Sequence, residues 1–483
     1  MDSKKMNIAI FVNSEQKFGG SFQYELRVCQ ILKEVRYKYN FNFFTLNEKN
    51  IDHFRKNNIE VKLLSKKDLE ITLINKHKID LVYFLYPANF NFINLHYIIT
   101  IWDLCHRDFN EFPEVRNNYE FENRELFYSS IGLKKAIAII SDSKQGKKNI
   151  IKRYNIDKNR VHVLKFLPRE HKEFTFININ KKYNINRPYI YYPAQFWAHK
   201  NHIYILKALK ILKENFNIEI FALFSGTDYG NLSYILEQAK FMGIDKQIKY
   251  LGFVDDNEIP NLYKQSLALV MPTYFGPTNI PPLEAFEYET PVCYSDLKGL
   301  RKQVKDAAFL IDLKNPNSLV NALLCILNNH NKVQKKIKTG KKILRKWTPN
   351  KFKNTLENIF NNFNNIRRCW SNTIIPENKI SDNISKNFNF IIKNIVNLTN
   401  SNNKYVIYGN GTIGKAIRVL ISDKIVGYVD IADKNNHPRN LKDMKYDKII
   451  ISVLGREEEI IKYLVEDLQI SRNKIVTLEL GNE

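Results

Sequence analysis

The chain is poor in the features that mark secreted, metal-held or membrane-spanning proteins. It carries five cysteines in 483 residues, Cys29, Cys105, Cys293, Cys325 and Cys369, scattered and odd in number. No two have metal-ligand or redox-motif spacing, so a reduced, cytoplasmic protein is the simplest expectation. The first residues, "MDSKKMNIAIFVNSEQ", hold a short apolar run followed by polar residues and do not read as a signal peptide. The most apolar long stretch, "LVYFLYPANFNFINLHYIITIW", contains Pro87, three asparagines and His96. It fails as a membrane span and reads as two buried strands and a loop, so any membrane contact is expected to be peripheral. No internal repeat with a period of roughly 20–50 residues is visible. Acidic residues are the minority: 50 Asp and Glu against 74 Lys and Arg, a net charge of +24. That excess attracts anions such as nucleotides, nucleic acid or an anionic membrane; a solvated basic face is the plainer reading. The basic residues are not interleaved with aromatics as single-strand binding requires, so no nucleic-acid partner is expected.

What the chain does have is short apolar runs rich in Ile, Val and Tyr, among them "NIAIFVN", "YIITIWDL", "AIAIISDS", "YIYYPAQ", "IEIFALFSG", "LALVMPTY", "PVCYSD" and "AAFLID". Segments of helical period lie between them; from Asn201 to Phe216, Leu206, Leu209, Leu212 and Phe216 fall on one face. Strands alternating with helices predict an α/β fold with parallel sheets covered on both sides. Its size calls for two or three domains. The apolar pattern lapses near "NINKKYNINRP", which reads as a linker. The expected division is 1–175 and 176–345 as two α/β domains, 346–370 as a helix, 371–403 as a polar tether, and 404–483 as a small third α/β domain.

Four stretches could carry chemistry. "FGGSFQYELRVCQIL" places Gly19 and Gly20 in a tight turn ahead of a helix whose free N–H groups suit a phosphate or sugar; an ordinary strand-to-helix turn is the alternative. "TIWDLCHRDFNEFPEV" crowds Asp103 and His106 at a strand end, where open α/β sheets keep their ligands, and His106 could carry a proton. Structural hydrogen bonding is the alternative there. "YYPAQFWAHKNHIYILKAL" sets Gln195, His199 and Lys200 before a helix, and a lysine in that place is an anion clamp or a plain surface lysine. In "YFGPTNIPPLEAFEYETPVCYSD" a proline-rich loop leads into a helix, with proline near the first turn. Glu284 stands there among Leu283, Ala285 and Phe286. It is either simple helix-dipole chemistry or a carboxylate held to bond a vicinal diol such as a ribose. The backbone N–H groups of Thr278, Asn279 and Ile280 could then meet a phosphate.

These motifs, taken in order, resemble the retaining GT-B glycosyltransferases of the large group 1 family (family 4). The resemblance rests on the Gly19–Gly20 loop, "SDSKQGKKNIIKRYNIDKNRVHVL", "HKN" at Lys200, "YLGFVDDNEIPNLYKQS", Glu284 with Pro291-Val292 and Ser295-Asp296 after it, and "DAAFLIDLKNPNSL". It spans roughly residues 7 to 370 and implies two facing Rossmann-like domains, the first for the acceptor and the second for the donor. By that resemblance Asp103, His106 and Lys200 are catalytic candidates. Gly19, Gly20, Gln195, His199, Thr278, Asn279, Ile280 and Glu284 are donor-binding candidates. The sequence departs from the family pattern at three positions. The first Glu of the family's E-x7-E falls at Gly276, the Arg that precedes the lysine falls at Gln195, and the His of an "HD" pair falls at Trp102. No D-x-D occurs, so no metal or other cofactor is expected.

The tail "KYVIYGNGTIGKAIRVLISDKIVGYVD" has Gly409, Gly411 and Gly414 after an apolar run and Asp430 about 20 residues on, the spacing of a dinucleotide fingerprint. It resembles the small Rossmann-like units appended to sugar-modifying enzymes. Nucleotide binding and a docking or folding module both remain open for it. The expected function is transfer of a sugar from a nucleotide-diphosphate sugar to a glycan or lipid-linked acceptor with retention, in surface polysaccharide biosynthesis. The rivals are a nucleotide-sugar epimerase or hydrolase of the same fold and an inactive nucleotide-sugar-binding scaffold. The lysine-rich stretches 134–172 and 332–346 allow contact with anionic lipid, which would place the protein at the inner face of the cytoplasmic membrane; a solvated face is the other reading.

Overall fold

The computed structural model describes residues 5–370, apart from 91, 93, 117–119, 170–173 and 277, together with residues 398 and 401–478. The expected tether at 371–403 lies almost wholly outside the described residues, as does Lys172 at the end of the first lysine-rich stretch. The chain divides into two compact units, 1–370 and 371–483.

The first unit holds two parallel sheets. In the first, β1 (Asn7–Val12), β2 (Asn40–Thr45), β3 (Val61–Leu63), β4 (Leu81–Phe84), β5 (His96–Ile101), β6 (Ala138–Ser141) and β7 (Val161–Val163) lie in the order β3-β2-β1-β4-β5-β6-β7. In the second, β8 (Tyr189–Pro193), β9 (Phe221–Ser225), β10 (Ile248–Gly252), β11 (Ala268–Met271), β12 (Val292–Ser295) and β13 (Phe309–Ile311) lie in the order β10-β9-β8-β11-β12-β13. Helices cover both faces, so central strands are apolar along their whole length. β4 and β11 are buried at every residue, and the long run 81–102 is two buried strands with a loop between them. The strand order reverses between β1 and β4 and between β8 and β11, and a crevice opens beyond the carboxyl ends at such points.

Two expectations are corrected by tertiary packing. The helix His202–Phe216 buries Leu206, Leu209 and Leu212, but Phe216 is 46% exposed. Asn217 ends the helix in the left-handed conformation (φ 55°), and the last turn stands clear of the sheet. The supposed linker at 178–188, with the residues just before it, is docked on the second domain. Ile177 and Ile179 donate their N–H groups to Asn261 and Gln265, at 3.0 and 3.1 Å, and Ile179 is fully buried. The helix Pro349–Arg367 returns to the first domain, where Glu357 meets Lys38 at 2.7 Å, Phe363 packs on His96 and Arg367 pairs with Asp80. Within the helix His330–Leu344, Lys336 is turned inward over the Phe309 ring and donates to the Ala308 carbonyl at 2.8 Å, so this basic stretch is partly structural.

The second unit is a four-stranded parallel sheet of β14 (Tyr405–Tyr408), β15 (Ile425–Val429), β16 (Lys448–Ile451) and β17 (Ile475–Thr477), in the order β15-β14-β16-β17. The described residues are thus α/β, with three Rossmann-like sheets among them.

Candidate active site

The carboxyl ends of the first two sheets face a common cleft of about 560 Å³, lined from both domains. That volume lies within the range of about 300–1,000 Å³ usual for small-molecule sites. Glycines and loops of the first domain close one side; the β8–β11 switch point of the second closes the other.

After β8 the chain makes a tight turn from Ala198 to Lys200, and Asn201 then adopts the left-handed conformation (φ 57°) before the helix begins. Tyr192 Oη donates to the Lys200 carbonyl at 2.9 Å and fixes this turn. The Lys200 side chain lines the cleft and makes no ion pair or hydrogen bond among the described residues. Burial lowers its pKa to about 8, since the cleft disfavours a charge without a partner. His199 stacks on Phe275 with ring centroids 3.7 Å apart. Its N–H donates to Glu114 Oε1 at 3.0 Å, and its Nδ1 bonds the same oxygen. Burial, helped by Lys200, holds the imidazole down at about 4, so it is neutral and Nδ1 is the donor. Gln195 accepts from Trp197 Nε1 at 2.9 Å and reaches back to the Lys17 carbonyl at 3.4 Å.

After β11 the loop runs through Gly276 to the helix Pro281–Glu287, whose first turn carries Glu284. The carboxylate is buried, 5% exposed, at the cleft floor. Arg169 Nε donates to Oε1 at 2.8 Å and Tyr263 Oη to Oε2 at 2.9 Å. Arg169 also pairs with Asp256. Each carboxylate oxygen retains a second lone pair for a ligand. The phosphate cradle expected from 278–280 is corrected in part: Asn279 N–H is spent on Gln303 Oε1 at 3.0 Å. Its side chain holds the loop instead, donating to the Gly276 carbonyl at 2.8 Å and to Tyr294 Oη at 2.6 Å. Thr278 and Ile280 line the cleft.

From the first domain, Gly19 takes φ 58° and ψ −104°, which favours glycine, and Gly20 opens the helix Gly20–Glu34 at the cleft wall. Under this loop Glu25 is fully buried and accepts from Asn13 N–H at 2.9 Å and from Ser14 Oγ at 2.7 Å. Asp103 lines the cleft and accepts from Arg124 at 2.8 Å and from Cys105 N–H at 3.1 Å, both at Oδ1. Burial alone would raise its pKa, but Arg124 and the Cys105 hydrogen bonds outweigh it and keep the carboxylate ionised. His106 does not reach the cleft. It is fully buried, with Nε2 2.7 Å from Glu125 Oε1, in a knot that includes Arg107 and Tyr154. Burial lowers its pKa. Its expected catalytic part is therefore corrected to a structural one.

The site thus brings together Gly19, Gly20, Asp103, Gln195, His199, Lys200, Thr278, Asn279, Ile280 and Glu284, and leaves out His106. It adds Arg124 and Arg169, which lay in no motif, and Glu114 and Tyr263, which sat inside the stretches quoted above without being singled out. Only the "P-R" of "FLPRE", with Arg169 ahead of a charged run, gave any local hint. Among the described residues no group of three or more His, Cys, Asp or Glu is placed to hold a metal ion.

In the second unit, Gly409 (φ 105°) and Gly411 lie in the turn after β14, and Gly414 sits in the first turn of the helix Thr412–Leu420. A Cβ on Gly414 would stand 2.1 Å from the Gly409 carbonyl oxygen, so that glycine is needed for packing. Asp430 accepts from Asn410 N–H at 2.7 Å and from Ala432 N–H at 2.9 Å. It braces the glycine turn from the end of β15.

Residues 175–343 match the profile of the family described as Glycosyl transferases group 1. The O-antigen chain mannosyltransferase RfbU of Salmonella typhimurium is 27% identical over 208 residues, 41% of this chain and 53% of that one. The capsular polysaccharide biosynthesis glycosyltransferase CapH of Staphylococcus aureus is 29% identical over 169 residues, 33% of this chain and 46% of that one. These alignments span about half the length of the curated relatives. Among solved structures, Anabaena Alr3699/HepE in complex with UDP and glucose aligns with a TM-score of 0.60 at 13% identity, covering 74% of this chain and all of that one. WaaG, a glycosyltransferase involved in lipopolysaccharide biosynthesis, aligns at 0.54 and 13%, covering 73% and 99%. Residues 175–343 are therefore similar to the group 1 glycosyl transferases, and the first two sheets make the GT-B fold.

Proposed function

We propose that this protein transfers a sugar from a nucleotide-diphosphate sugar to a glycan or lipid-linked acceptor, with retention and without a metal, in surface polysaccharide biosynthesis. The observation that carries the proposal is the pairing of an uncompensated cation with a buried, braced carboxylate on the two sides of one switch point. Lys200 suits a diphosphate and Glu284 suits a ribose diol. The names of the curated relatives support the reaction class, and the HepE complex supports a nucleotide sugar as the donor.

In this mechanism the acceptor hydroxyl oxygen bonds the anomeric carbon while the bond from that carbon to the diphosphate breaks. The diphosphate leaves with the electron pair, and the acceptor proton passes to it. Negative charge grows on the leaving group, so Lys200 stabilises the transition state more than the ground state, by roughly 3 kcal/mol for one such contact. Glu284 fixes the nucleoside by two charge-assisted hydrogen bonds. Asp103 remains ionised beside Arg124 and accepts from a donor-sugar hydroxyl. Glu114 reaches across from the first domain to hold His199 and with it the turn bearing Lys200. The basic stretches support a peripheral position at the inner face of the cytoplasmic membrane.

The test is a thermal-shift screen of nucleotide sugars, followed by turnover with and without acceptors. A donor that shifts the melting temperature and is consumed only with an acceptor fits transfer. Rapid turnover without an acceptor would point to an epimerase or hydrolase, and binding without turnover across a broad acceptor panel to a scaffold.

A further inference from the structure

A second cavity, of about 320 Å³, adjoins the cleft. The two share Trp102, Asp103, Cys105, Phe275 and Gly276, so they meet beside the Asp103 carboxylate. The far walls come from both domains: Gln145, Asn149 and Ile150 of the helix Lys144–Tyr154, and Leu297 to Leu300 after β12. Gly276 sits at the junction. Its φ is +108°, and a Cβ there would stand 2.7 Å from the Asn279 side chain. A side chain at that point would be strained and would press on Asn279, and with glycine there the two spaces are joined.

The lining is mainly apolar, with the rings of Phe109, Tyr274 and Phe275 among it. The charged groups are mostly spent. Asp103 is tied to Arg124 and Asp108 to Arg153, while Lys298 is exposed. The uncharged polar groups are few. Ser141 Oγ already donates to the Ser143 carbonyl, Trp102 Nε1 is a buried donor without a partner among the described residues, Tyr274 adds its hydroxyl, and two amides supply most of the remaining capacity. Gln145 Nε2 donates to Asn149 Oδ1 at 3.0 Å, which leaves the Gln145 carbonyl and the Asn149 amino group to meet a ligand.

We infer that this cavity takes the reacting sugar of the acceptor, and that this sugar is uncharged and carries an apolar substituent, as a deoxy or N-acylated sugar does. The inference rests on the transferase reading, because a second substrate must meet the donor at the Asp103–Gly276 junction. The volume is at the low end of small-molecule sites, about 300 Å³, which suits one sugar ring. A fully hydroxylated or anionic sugar would bury more polar groups than this mainly apolar lining can satisfy.

The experiment measures binding of methyl glycosides of fucose, N-acetylglucosamine, glucose and glucuronic acid to the full chain by saturation-transfer NMR, with no donor present. The fucoside or the N-acetylglucosaminide should bind at least about tenfold more tightly than the other two. Gly299→Phe should abolish that binding, since Gly299 lines the cavity and a Cβ there meets nothing within 4 Å. Asn149→Leu, which removes one of the two amides, should weaken it and serves if the larger residue impairs folding. Neither variant should change the dissociation constant of the nucleotide sugar. Equal binding of all four glycosides, no binding of any, or binding that survives both variants overturns the inference. Because the readout needs no turnover, failure of the transferase reading would show separately, as no nucleotide sugar being bound or consumed.

Discussion

Glu284 gives the sharpest test of the donor site, because its surroundings separate binding from stability. Its carboxylate already takes one hydrogen bond from Arg169 and one from Tyr263, so a ribose must use the remaining lone pairs. Removing one partner of a buried ion pair typically costs about 3–5 kcal/mol. Here Arg169 keeps Asp256, so Glu284→Ala should destabilise the fold by roughly 2–3 kcal/mol, at or just below the lower limit of that range. The affinity term is separate. Two hydrogen bonds from a diol to a carboxylate are worth about 2–4 kcal/mol together, a loss of roughly 30- to 700-fold in donor affinity. Glu284→Gln preserves the shape, leaves Arg169 an acceptor and removes the charge. It should weaken the donor by less and melt within a few degrees of wild type. Calorimetric titration with a nucleoside diphosphate and with its 2′-deoxy counterpart is the measurement. Wild type should prefer the ribo form, and Glu284→Ala should bind both alike. Equal discrimination by wild type and mutant would refute the ribose assignment and remove the main support for this loop as the donor site.

Lys200→Ala should lower kcat/KM by on the order of 100-fold, and an unchanged rate would place the ammonium outside the reaction. With the Lys200 pKa lowered to about 8, kcat/KM should fall about tenfold per pH unit above that value, and Lys200→Arg should move the break upward. The sign for stability is opposite: between about 8 and the unfolded value of 10.5 the unfolded chain holds more protons, so this group makes the fold more stable as pH rises. A flat pH–rate profile to pH 10 would contradict the role. His106→Asn should alter the melting temperature but leave kcat within about threefold, since His106 Nε2 meets Glu125 rather than the cleft; a large kcat loss with an unchanged melting temperature would restore it as catalytic. A chain ending at Trp370 should remain folded and keep transfer activity, because residues 1–370 form one compact unit; insolubility of that chain would show that the second unit is needed for the fold.

What the sequence by itself determined was local. Apolar runs of Ile, Val and Tyr became buried parallel strands because each is short, uninterrupted and bounded by helices that cover both faces. Two prolines at the head of "PPLEAF" set the start of a helix, and that placed Glu284 in its first turn. Asn217 already ended the helical pattern, yet the exposure of Phe216 depended on where that end stood over the sheet. Only tertiary structure decided the partners. Arg169 meets Glu284 across 115 residues of chain, and Glu114 meets His199 across 85; no periodicity encodes either pairing. The same holds for His106, which reads as a proton carrier until Glu125 closes on it, and for Asn279, whose N–H looks free until Gln303 takes it. Side-chain type and spacing fix what a residue can do near itself. Whether it faces solvent, a cleft or a buried counter-charge depends on which distant strand ends the fold brings together, because burial and unlike charge, not local propensity, set its protonation and its free valences.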